Sequence, residues 1–281
     1  MPLGVMSVFA ALVLWAALAA WGVARRRFGP ALLFGVAFML ALNLGYVVYG
    51  PTASIANFVG IYDVLINLGL PDTAAAVLPC AENACSVWGE TFTRHPAWGV
   101  AFYERFASGP EARSALLMGH IVCNSIVFVL LHVQMLRPGG QASLHALLGR
   151  ISFVILTLGV GCAVILATQH SAVPEYGGLW AELGFFSMSL IVYASAVCGV
   201  IAIRQGDAAR HRIWMWRFAG SMWGSFWLFR VVLFVIDPLL RQSEALAINI
   251  CIWGSAPAGV ILAEIIRRRL DRTSEVSVSA A

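Results

Sequence analysis

Long apolar runs separated by short arginine-bearing connections dominate this chain. Seven of the runs are long enough to cross a bilayer, which takes about 20 residues of helix. They lie near residues 3 to 24, 30 to 50, 114 to 136, 147 to 168, 181 to 203, 213 to 236 and 245 to 266. The pattern predicts an all-α fold, a polytopic membrane bundle of seven transmembrane helices. Twelve arginines fall in connections on one side of that bundle, and only Arg94, Arg105, Arg113 and Arg241 fall on the other. Cytoplasmic connections carry the excess of basic residues, so the N-terminus is expected outside and the C-terminus in the cytoplasm. The first run is followed, not preceded, by basic residues (Arg25, Arg26, Arg27), the reverse of a secretory signal, and is expected to stay as a span.

The runs divide the chain into two N-terminal spans (1–50), an outer, periplasmic segment (51–113), a four-helix core (114–236), a seventh span (237–270) and a tail expected to be disordered (271–281). Within the outer segment, residues 53–70 and 96–107 read as interfacial helices that bring apolar and aromatic side chains to the headgroups. That segment also contains CAENAC, with Cys80 and Cys85. On the outer side an oxidising compartment favours a disulfide between them, with free thiols or metal ligation as the alternatives. The other four cysteines lie in spans and read as small packing residues.

Composition strengthens the membrane reading: 60% of residues are hydrophobic and 11% charged. The expected location is the bacterial inner membrane, with the lipid bilayer as the surrounding partner. All eighteen basic residues are arginine, and the net charge of +4 is spread over the connections, which argues against nucleic-acid binding. No P-loop, GxGxxG turn or HExxH helix is present, so nucleotide-binding and metalloprotease chemistry lose their usual anchors.

Polar residues inside the spans carry the functional information, because a charge at bilayer depth costs a few kcal/mol on insertion scales. The stretch HRIWMWRFAGSMWGSFWLFR, residues 211–230, holds His211, Arg212, Arg217 and Arg230. As a helix it puts Arg217 on a face with Gly220, Ser221 and Gly224, a GxxxG face on which another helix, including one from a partner subunit, can approach closely. No carboxylate is placed inside the bundle by the pattern. Glu264 is assigned to Arg267 and Arg268 on its own helix, which leaves Arg217 to carbonyls, lipid phosphate or an anionic ligand. With this topology His120 and His170 form an outer layer, and His132, His145 and His211 form an inner one with Arg150 and Arg217. Two histidines on facing helices at one depth, with basic residues nearby for propionates, suit b-type haem. His120 and His132 are twelve apart and so turned about 120° from each other, which disfavours a two-haem column along one helix face.

Four stretches, LLMGHIVCNSIVFVLLHVQMLR, LHALLGRISF, AIRQGD and HRIWMWR, in this order and spacing, resemble the predicted bacterial membrane proteins grouped as domain of unknown function 2306. The resemblance covers roughly residues 110–235. It rests on His120, Gln134, His145, Gly149, Arg150, Arg204, Gly206, Asp207, His211, Arg212, Trp214, Met215 and Arg217. It implies a shared helical fold and importance for the inner His-Arg layer, and it implies no reaction. The Trp-rich continuation before Arg230 departs from the family pattern.

Three functions follow as expectations. The first is a redox-linked protein binding haem b or a quinone, with His120, His145 or His211 at the cofactor and Arg150, Arg212 and Arg217 near its anionic or carbonyl groups. The second is a binding or transport protein that holds a small anion or lipid with the same arginines. The third is an accessory subunit docking through Gly220 and Gly224.

Overall fold

A computed structural model describes residues 3–25, 27–48 except 42 and 45, 67–69, 106, 111–136, 142–168, 178–229, 232 and 244–279. Among these residues there are helices and no strands. In chain order they are α1 (Leu3–Arg25), α2 (Gly29–Val48), α3 (Glu111–Leu136), α4 (Ala142–Ala167), α5 (Gly178–Arg204), α6 (Ala208–Trp223, continued by a π-helical turn, Gly224–Leu228) and α7 (Glu244–Ser279). Five of them, α2 to α5 and the Leu246–Asp271 part of α7, are long and apolar enough to cross a membrane. Cys80, Cys85, His170 and Arg230 lie outside the described residues.

The chain is thus an all-helical, polytopic bundle. Helix α7 runs past residue 270, where a disordered tail was expected, to Ser279. Arg267 pairs with Asp271 one turn on at 2.6 Å, which supports helical register across that boundary.

Helix α6 is the centre of the assembly. It packs on α5, on α7 and on α3. Its contact with α7 is made backbone to backbone: a Cβ on Gly259 would collide with the Gly220 carbonyl oxygen and come within 2.6 Å of the Gly224 nitrogen, and a Cβ on Gly220 would meet Ala263. The Gly220/Gly224 face expected to receive another helix therefore receives α7 of the same chain. On another side Trp227, 1% exposed, stacks with Trp15 of α1 and Phe38 of α2 at centroid distances of 5.7 and 4.9 Å. Between α3 and α6, the Trp223 indole N–H donates to His132 Nε2 at 2.8 Å.

Candidate functional site

The turn between α5 and α6 sets the position of His211. Gly206 takes φ +78°, and the N–H groups of Gly206 and Asp207 return to the carbonyls of Ile203 and Ala202, closing α5 with the paired bonds of a Schellman ending. Asp207 then caps α6 directly, its carboxylate accepting from the Arg210 N–H at 2.8 Å. The Gly and Asp of the AIRQGD stretch are therefore the stop and start signals of two consecutive helices. His211 follows one turn into α6, its own N–H bonded to the Asp207 carbonyl.

A second glycine lets that ring reach α5. A Cβ on Gly199 would meet Met215 Cε, the flexible end of an α6 side chain, and lie 3.5 Å from Trp214 Cβ, so α6 passes close to α5 here. Across the gap His211 Nδ1 is 2.8 Å from the Gly199 carbonyl oxygen. A carbonyl only accepts, so Nδ1 carries the proton, and in the neutral imidazole Nε2 keeps a lone pair. The ring of His145, in the first turn of α4, lies edge-on to this ring with centroids 6.3 Å apart and planes at 81°. Two histidines 66 residues apart in the chain thus meet at one end of the bundle.

The arginines nominated with them divide. Arg217 does not join the histidine pair: its guanidinium sits 4.6 Å over the Trp214 ring and 3.9 Å from Glu264 of α7. The expectation that Arg217 lacks an internal counter-ion is corrected, and the reason is the glycine contact, which brings α7 and its carboxylate against α6. Glu264 also pairs with Arg267 at 2.6 Å and Arg268 at 2.8 Å, as its i+3 and i+4 spacing predicts. Arg212 pairs with Asp271, which Arg267 also holds. Arg150 is exposed on α4 and has no ion-pair partner among the described residues.

The other two described histidines, His120 and His132, stand apart from the pair. The side chain of His120 lies at the Gly159 carbonyl, 3.1 Å from Nδ1, with Asn124 Nδ2 2.9 Å from the same nitrogen. Gly159 is fourteen residues along α4 from His145, about 21 Å at 1.5 Å per residue. His132 is buried, with Nδ1 at 2.6 Å from the Phe128 carbonyl and Nε2 accepting from Trp223, so both ring nitrogens are satisfied and it serves packing.

Sequence reasoning missed Gly199, Asp271 and Trp223 as parts of this arrangement. Asp271 had a usable signal, its i+4 spacing from Arg267. Gly199 had none, because a glycine in an apolar run becomes informative only when the opposing helix is known.

Among the described residues no group of three or more His, Cys, Asp or Glu could hold a metal ion, and Cys123, Cys162, Cys198 and Cys251 form no disulfide. Compared with known proteins, the chain matches no curated protein and no solved structure. The profile of a family described as "Predicted membrane protein (DUF2306)" matches residues 117–267, from α3 into the α7 span. That is 151 of 281 residues, and it reaches past the 110–235 resemblance into α7, which supplies the glycine and carboxylate partners of α6. With the match covering more than half its length, this chain belongs to the DUF2306 family of predicted membrane proteins.

Proposed function

We propose that this membrane protein is redox-linked and binds b-type haem at the His145/His211 end of the bundle. The observation that carries the reading is the orientation of His211. Its Nδ1–H is committed to the Gly199 carbonyl, the arrangement in which a metal-ligating histidine is normally held, and Nε2 is left with a lone pair. A lone pair suits iron and cannot donate to a quinone carbonyl, which sets haem ahead of quinone. Two imidazoles sharing one metal, each nitrogen about 2 Å from it, have ring centroids roughly 6 Å apart. The 6.3 Å separation of His145 and His211 is compatible with that spacing. Two protein donors are too few for a bare metal ion, whereas a porphyrin brings four nitrogens of its own.

The competing readings lose their supporting features to contacts within the chain. Arg212 and Arg217, offered to an anionic ligand, are engaged by Asp271 and Glu264. The Gly220/Gly224 face, offered to a partner subunit, is filled by α7. Arg150 has no such partner, and we assign it to the haem propionates. When bound, the haem would supply one-electron chemistry, while His145 and His211 hold it and the Gly199 carbonyl fixes the tautomer that makes His211 a ligand. The positive-inside asymmetry supports an orientation in the inner membrane of a bacterium with this end toward the cytoplasm.

The test is an absorption spectrum of the purified full chain, oxidised and dithionite-reduced, from haem-replete cells. A Soret band that His145→Ala and His211→Ala each abolish or shift to a five-coordinate form supports the reading, and Gly199→Ala is expected to reduce haem occupancy. Wild-type protein with no Soret band and no extractable haem would refute it. A quinone recovered from that same preparation would move the chemistry to the second redox candidate.

A further inference from the structure

We propose that Arg113, at the end of the bundle opposite the histidine pair, is an oxyanion site. It lies in the first turn of α3, a 26-residue helix, and is 5% exposed. Neither its Nε nor its Nη1 has a hydrogen-bond partner, and the guanidinium makes no ion pair among the described residues. A snorkelling arginine keeps its head in water or among headgroups while the stem covers apolar surface. Arg113 does the reverse, with a head buried so that two of its three nitrogens are left without a partner.

Two neighbouring charges on α3 are relevant to that burial, and neither relieves it. Glu111, two residues earlier, is exposed and is turned to another side of the helix. The first turn of α3 is the positive end of the helix dipole, so the peptide groups nearest the guanidinium share its sign. Buried unpaired charge is among the most costly arrangements in a fold, and arginine cannot escape it by losing its proton. An oxyanion pairs with the guanidinium, fills the empty donor positions and opposes the dipole. A phosphate oxygen meets this need whether it belongs to a lipid phosphodiester, since the first turn of a spanning helix lies at headgroup depth, or to a soluble anion.

The experiment follows thermal unfolding of the full chain in neutral detergent by tryptophan fluorescence. The probes are phosphatidylglycerol in one arm and inorganic phosphate, against chloride at matched ionic strength, in the other. Wild type is expected to gain about 3 °C or more with one of them. Arg113→Met is expected to unfold above wild type when no anion is added and to lose the gain. Arg113→Gln, the second variant should the first not fold, is expected to lose the gain as well. Arg269→Gln, exposed at the other end, keeps the wild-type response. A gain with lipid alone identifies the headgroup, and a gain with phosphate identifies a soluble oxyanion. No gain from either probe, or the full gain in both Arg113 variants, overturns the proposal.

Discussion

Replacing Gly259 by alanine tests the backbone contact on which the position of α6 depends. The added methyl would overlap the Gly220 carbonyl oxygen and lie 2.6 Å from the Gly224 nitrogen and 2.8 Å from its Cα. All three atoms are backbone, so no rotamer change relieves the overlap, and α6 and α7 must separate by roughly 1 Å to restore ordinary contact. Overpacking of a close-packed interface costs about 1–3 kcal/mol, and the absence of a yielding side chain places this case near the upper end. Separation would also stretch the Arg217–Glu264 approach, which is already at 3.9 Å. Gly254, in the same helix, is the internal control, because a Cβ there meets nothing within 4 Å. Gly254→Ala gains helix propensity of about 1 kcal/mol and should be neutral or stabilising. Unfolding of both variants by titrated SDS in mixed micelles should therefore move in opposite directions. Equal shifts for the two would mean that the glycine contact does not hold the helices together.

Three further perturbations test separate parts of the packing. Glu264→Gln leaves Arg217, Arg267 and Arg268 without their shared carboxylate and should cost about 2–3 kcal/mol in the same unfolding assay; no loss would show that the network is surface ornament. Trp223→Phe removes the indole donor to the buried Nε2 of His132 and should cost about 1–3 kcal/mol beyond the small loss of ring area, an excess that His132→Phe in the same background should remove. Tyr46→Phe deletes a buried hydroxyl that has no partner, so stability should stay level or rise, and a clear loss would mean that the hydroxyl is bonded in the folded protein.

The sequence was legible where one dimension suffices. Hydropathy located the spans because bilayer thickness fixes a length, and the Glu264 pairs with Arg267 and Arg268 could be read because i+3 and i+4 neighbours meet on any helix. The glycine face of α6 was also readable, but not its occupant: GxxxG says that a helix can come close and not which one. Assigning Glu264 wholly to its own helix concealed its approach to Arg217, since a carboxylate with several acceptor positions can serve three guanidiniums at once. Grouping His132 with His145 and His211 failed for the complementary reason. His132 bonds Trp223, which lies twelve residues along α6 from His211, about 18 Å at 1.5 Å per residue, and rotation about α3 turns it into the core; neither the offset nor the rotation between helices is encoded in hydropathy.

These contacts together give α6 little freedom along its length. One side is locked to α7 through glycines, another to α3 through Trp223 and His132, the π-helical turn carries Trp227 to α1 and α2, and the first turn is held by Asp207 and by Gly199. A side chain borne on such a helix keeps its position better than one on a loop, which is what a binding residue requires. His145 is held differently: it is exposed in the first turn of α4, just after a connection that lies outside the described residues. The two rings are therefore unequal partners, His211 preset by its neighbours and His145 free to adjust. Any ligand placed between them should move the start of α4 and leave α6 where it is.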